Sequence, residues 1–139
     1  MRYADDRARV TLTVCTPRIV RVELDDGSVA AGPGYVGERS WPDSPLEIVE
    51  GDPSRLTTAH LGVEISTAPP RLAFLDSSGE WLLREPGHGG MVSEPVAGDP
   101  VRRRVRASFE FSGEQHFYGL GQGGSGFDRL GVSRQLWNT

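Results

Sequence analysis

Apolar residues recur along this chain at every second position rather than every third or fourth, which constrains the fold more than any other feature. In ARVTLTVC, Val10, Leu12 and Val14 share one face while Thr11 and Thr13 take the other. In IVRVELDDG, Val20, Val22 and Leu24 alternate with Arg21 and Glu23, and in LGVEIST, Leu61, Val63 and Ile65 fall together. The longest such run is VRRRVRASFEF. It reads as one strand, with Val101, Val105, Ala107, Phe109 and Phe111 on a face interrupted by Arg103, and with Arg102, Arg104 and Arg106 beside Ser108 and Glu110 on a solvent-facing or interdomain side. No window of a dozen residues carries helical periodicity; only a helical turn over Met1 to Arg7 is compatible with the pattern.

Turn chemistry punctuates these runs. Thr16-Pro17 breaks the first pair, because proline cannot donate to a ladder. RLAFLDSSGEWLL reads as a hairpin whose turn spans Asp76 to Gly79, where glycine accepts a positive φ. Asp25-Asp26 before Gly27 reads as another turn. AAGPGYVGERSWPDSP is a surface loop ahead of LEIVE, with Trp41 as its anchor into the core. No repeat of fixed period is present. Many short alternating strands with turns between them predict an all-β, antiparallel β-sandwich.

A chain of 139 residues is long enough to bury roughly 70% of its unfolded surface as a single domain. Its 37% hydrophobic and 24% charged residues are those of a globular protein, not a disordered one. The formal charge of −4 gives no electrostatic reason to expect nucleic acid as a partner, and Arg102-Arg103-Arg104 is explained by a solvated strand face. All fifteen cationic side chains are Arg, so the lysine of a Walker-type phosphate loop is missing. The single Cys15 can form no intrachain disulfide and reads as a packed thiol. MRYADDRARV lacks the apolar core of a secretory signal and no run approaches a membrane span, so with residue 1 as the natural start the expectation is a cytoplasmic protein without membrane contact.

The candidate site is YGLGQGGSGFDRLG, Tyr118 to Gly131, with six glycines in fourteen residues. It matches G-x-G-x-x-G at Gly119, Gly121, Gly124 and again at Gly121, Gly123, Gly126. A dinucleotide site also needs a helix after the glycines and an acidic residue about 20 positions on. Neither follows Gly126, and only thirteen residues do. A nucleophile elbow around Ser125 fails because Phe127 stands where its last glycine belongs. His60, His88 and His116 have no second ligand at metal spacing, so no metal and no cofactor are expected, and His88 reads as a loop side chain. No local pair of carboxylates marks a general acid and base, and no catalytic residue is assigned.

Extended on both sides, the stretch becomes GEQHFYGLGQGGSGFDRLGVSRQLWNT. It resembles the end of the N-terminal, galactose mutarotase-like β-sandwich domain of glycoside hydrolase family 31, the family of α-glucosidases and α-xylosidases. The family's E-x-x-Y/F-G-L-G-E turn, its following Leu and Gly, and its W-N-x-D element correspond here to Glu114, Phe117, Tyr118, Gly119, Leu120 and Gly121, then Leu130 and Gly131, then Trp137, Asn138 and Thr139. TPRIVRVEL and LAFLDSSGEWLLRE resemble the family's early strand and hairpin. Gln122 replaces the usual Glu, keeping a hydrogen-bonding amide of similar shape without the charge. The chain stops at Thr139, where the family's Asp follows.

The resemblance implies a non-catalytic domain, residues 1–139, that packs on a (β/α)8 barrel of the same polypeptide carrying the two catalytic carboxylates of a retaining mechanism. Residues 119–139 are then the glycine-rich turn and the start of a loop toward the sugar pocket, with Trp137 and Asn138 nearest the substrate. The barrel is absent from this chain. The sandwich is expected to be incomplete at its C-terminal side and the isolated chain to self-associate as a dimer. A second reading is a free-standing carbohydrate-binding module using Trp41, Trp81 or Trp137 as stacking surfaces, each of which has a plainer role as core or interface filler. A nucleotide-binding domain is left only as the residue of the glycine pattern.

Overall fold

The computed structural model describes residues 2–4, 9–25, 27, 40–88, 90–111, 115–119 and 126–133. Eleven strands and no helix occur among them. They are β1 (Arg2–Ala4), β2 (Arg9–Thr16), β3 (Ile19–Asp25), β4 (Glu47–Val49), β5 (Ser54–Thr57), β6 (Gly62–Thr67), β7 (Pro70–Leu75), β8 (Trp81–Arg84), β9 (Met91–Val96), β10 (Asp99–Ala107) and β11 (Glu110–Phe111). Every pairing is antiparallel. The order is β1-β2-β3 in one sheet and β11-β8-β7-β6-β5-β4 in a second, with β9 and β10 forming a separate ribbon.

The two larger sheets meet face to face. Val10 and Leu12 of β2 pack against Leu56 of β5, Val63 and Ile65 of β6 and Leu72 of β7, with Val14, Val20, Val22, Leu24, Phe74 and Met91 around them. Val10, Leu12, Val14, Val20, Val22, Leu24, Val63 and Ile65 are the inward residues that the alternation marks. The core is therefore the interior of an antiparallel sandwich. Cys15 departs from strict alternation: a register shift between Val14 and Thr16 turns it inward, where the thiol is buried and donates to the Thr13 carbonyl at 3.7 Å.

The β7–β8 hairpin forms where the turn chemistry places it. Gly79 has φ +89°, and Asp76 accepts from the Ser78 and Glu80 backbone N–H groups and from the Ser78 hydroxyl. Those bonds, the Ser78 hydroxyl first, hold the Asp76 carboxyl below the usual carboxylate range. Gly27 likewise has positive φ, and its N–H reaches the Asp25 carboxylate at 2.9 Å.

Where β8 ends, the Glu85 N–H still donates to the Leu72 carbonyl at 2.8 Å, and the buried Glu85 side chain takes the return bond. Glu85 accepts from the Leu72 and Met91 N–H groups through its two carboxylate oxygens, at 2.8 and 2.9 Å. Burial pushes its carboxyl up in spite of those bonds. A Cβ on Gly90 would lie 2.5 Å from Glu85 Cδ, so only glycine lets the chain pass this side chain on its way to β9.

Three sequence expectations are corrected. VRRRVRASFEF is two strands: β10 pairs with β9, and after Ser108 and Phe109 the short β11 pairs instead with β8. The Ser108 N–H still bonds the Gly90 carbonyl, one step further in the β9–β10 register, and the chain changes partner beyond it. Arg102, Arg104 and Arg106 are exposed as expected, but Val105 on the supposed inner face is 71% exposed, because β10 pairs with β9 in a ribbon of its own and not within either larger sheet. Arg2–Ala4 form β1 on the edge of β2 and not a helical turn; the rest of that segment lies outside the described residues. Trp41 is only half-buried in irregular chain, and Trp81 lines the outer face of the six-stranded sheet and not the core.

Candidate functional site

The described ends of the glycine-rich stretch, 115–119 and 126–133, are drawn together by one aspartate. Asp128 Oδ1 accepts from the Phe117 N–H at 3.1 Å and the Leu130 N–H at 3.0 Å, and Oδ2 lies 2.6 Å from His116 Nδ1. Two backbone bonds close the pinch: Arg129 N–H to the Phe117 carbonyl at 2.7 Å and Val132 N–H to the Arg129 carbonyl at 3.0 Å. His116 is the main cause that lowers the Asp128 carboxyl to about 2, followed by the Leu130 and Phe117 N–H groups. Gly119 at φ +110° and Gly131 at φ +72° supply the left-handed turns on either side.

This clasp fixes a row of aromatic rings. Phe111 and Phe117 meet edge to face at 5.0 Å, His116 stacks on Tyr118 at 6.2 Å, and Tyr118 leans on Phe127 at 5.4 Å. The rings touch one another and are also open to solvent. Phe127 is 87% exposed and Tyr118 61%, and Phe117, Leu130 and Val132 are exposed beside them. An exposed aromatic patch held in place by hydrogen bonds has the character of a docking surface.

Of the residues that the sequence reading singled out, Tyr118 lies against Phe127 across the clasp, and Gly119 and Gly131 are positive-φ positions on its two sides. Leu120, Gly121, Gln122, Trp137 and Asn138 lie outside the described residues. His116 was weighed only as a metal ligand, and its pairing with Asp128 was missed because the two are twelve positions apart; an Asp two residues before Leu130 and three before Gly131 was the available turn signal. Asp128 thus takes two backbone N–H groups and one imidazole nitrogen, and it ties the two described ends of the stretch together. Among the described residues no group of three His, Cys, Asp or Glu could hold a metal ion, and no helix is long and apolar enough to cross a membrane.

The described residues thus define a class by fold, an all-β antiparallel sandwich. The family model of the glycosyl hydrolase 31 N-terminal galactose mutarotase-like domain matches residues 9–139, and the chain belongs to that family. Among solved structures, the GH31 alpha-xylosidase from Xanthomonas citri is similar at 29% identity with a TM-score of 0.68, over 88% of this chain and 14% of that one. The chain thus spans about one seventh of that enzyme's length. No curated protein matches it.

Proposed function

We propose that this chain is the non-catalytic sandwich domain of an α-glycosidase acting on α-linked glucosides or xylosides. It packs on the catalytic barrel of the same polypeptide and helps wall the sugar pocket. The observation that carries this reading is the clasped aromatic end: Asp128 fixes Phe117, Tyr118 and Phe127 in an exposed patch next to the glycine-rich stretch on which the family resemblance rests. The W-N element supplies the further assignment of Trp137 and Asn138 as the residues nearest the substrate. The stacking of a sugar ring on Trp81 that a free-standing binding module would use is the weaker reading, because the Arg84 guanidinium lies 4.4 Å from the indole centroid.

The chain alone should turn over neither aryl α-glucosides nor aryl α-xylosides, whereas the polypeptide that includes a barrel should hydrolyse at least one of them. Turnover by the purified chain, surviving heat controls, would overturn the reading. The same reading leaves interfaces uncovered. The outermost strand β4 is exposed along its length, with its Ile48 and Val49 and the preceding Leu46 open to solvent. Edge pairing between copies should therefore give a concentration-dependent dimer by light scattering over a dilution of about a hundredfold. A monomer at every concentration would show that the edge needs no cover.

A further inference from the structure

The face of the six-stranded sheet opposite the core carries a polar row running straight across five strands. Register places Arg55, Glu64, Ala73, Arg84 and Glu110 side by side on β5, β6, β7, β8 and β11. The charges pair outward from the middle. Glu64 is salt-bridged to Arg55, and Arg84 Nε donates to Glu110 at 2.9 Å, so both ion pairs lean away from the small central Ala73. The result is a hollow of about 390 Å³ over Ala73, bordered by Glu64, Ser66, Arg71, Trp81 and Arg84. That volume lies within the range of roughly 300–1,000 Å³ of small-ligand sites.

Two guanidinium groups in this hollow are held by one edge and open at the other. Arg71 Nε donates to the Glu85 carbonyl at 2.8 Å. Arg84 is fixed by its Nε bond to Glu110 and by lying on the Trp81 ring. In both, the terminal nitrogens meet no acceptor among the described residues. Pre-positioned guanidinium forks suit a planar or tetrahedral oxyanion, since the side-chain entropy of ordering them is already spent. The Glu64 carboxylate and the Ser66 hydroxyl beside them suit the hydroxyls of a polyol.

We propose that this hollow binds a sugar bearing an oxyanion, a carboxylate or a phosphate, with Arg71 and Arg84 on the anion and Glu64 and Ser66 on hydroxyl groups. The site does not depend on the barrel-packing reading, because every residue in it belongs to this sheet. The test is titration of the chain with glucuronate, glucose 6-phosphate, inorganic phosphate and glucose, followed by the backbone and indole NMR shifts of Trp81. Saturable shifts centred on β7 and β8 are expected with glucuronate or glucose 6-phosphate, the better of the two identifying the oxyanion. Binding should weaken with added salt and be at least about tenfold weaker for glucose.

Arg71→Gln and Arg84→Gln should each lower the affinity about tenfold or more. Ala73→Leu fills the floor of the hollow without breaking either ion pair and should abolish binding; its thermal unfolding curve checks that the fold is retained. Equal binding of glucose and the anionic sugars, binding of inorganic phosphate alone, binding unchanged in Ala73→Leu, or no shift below about 10 mM with any of the four would each overturn the proposal.

Discussion

The apolar residues of β2, β5, β6 and β7 and those of the 116–132 segment are chemically alike and end in opposite surroundings. Val63 and Leu72 are fully buried between two sheets, while Phe127 and Tyr118 stand in solvent, ordered by a carboxylate. In the first region the hydrophobic effect fixes the positions, at about 25 cal/mol for each Å² removed from water. In the second, hydrogen bonds to Asp128 hold the backbone and the rings present a surface. One region closes the domain on itself, and the other leaves it open to a neighbour.

Large-to-small substitution should separate the two most sharply. Leu72→Ala leaves a cavity in the core and should cost about 2–5 kcal/mol, a large part of the roughly 5–15 kcal/mol that stabilises a domain. Phe127→Ser removes a ring that faces solvent and should stay within about 0.5 kcal/mol. Denaturant unfolding of both variants measures the contrast, and comparable losses would mean that Phe127 is part of the domain's own core.

Acid should act on the clasp before the core. The Asp128 carboxyl sits at about 2 in the folded chain against an ordinary 3.8, so it is a depressed group. Its contribution is present above the unfolded value and is lost as the pH falls through the folded one. Amide exchange at Phe117 and Leu130 should therefore quicken between about pH 4 and pH 2 while amides of β6 and β7 stay protected. Asp128→Asn should remove most of that pH dependence. Exchange that quickens together in both regions would mean that the clasp has no separate role.

The core was legible in the sequence because burial on a strand follows a period of two: Val10, Leu12, Val63 and Ile65 all stand where the alternation puts them. Alternation says nothing about which strand is the neighbour. VRRRVRASFEF looked continuous because the change of partner from β9 to β8 leaves no mark in the alternation, and the exposure of Val105 depends on what lies opposite it. The strands β5 and β9 carry too short or too irregular a pattern, the latter with Pro95, to have been read at all. At the candidate site the glycines and Tyr118 were visible as a motif. The His116–Asp128 pair and the arginine hollow were not, because a side-chain bond between two loop segments assembles the first, strand register assembles the second, and neither leaves a pattern in the sequence.

The central claim, that the clasped aromatic end is built to be covered by the rest of a glycosidase polypeptide, is tested most directly by footprinting. Hydroxyl-radical labelling of Phe117, Tyr118 and Phe127 would be compared between this chain alone and the same residues within the polypeptide that includes the barrel. The account predicts strong labelling of all three rings in the chain alone and protection of Tyr118 and Phe127 in the longer protein, with β3 residues such as Ile19 unchanged as the reference. Equal labelling of Tyr118 and Phe127 in both would contradict it.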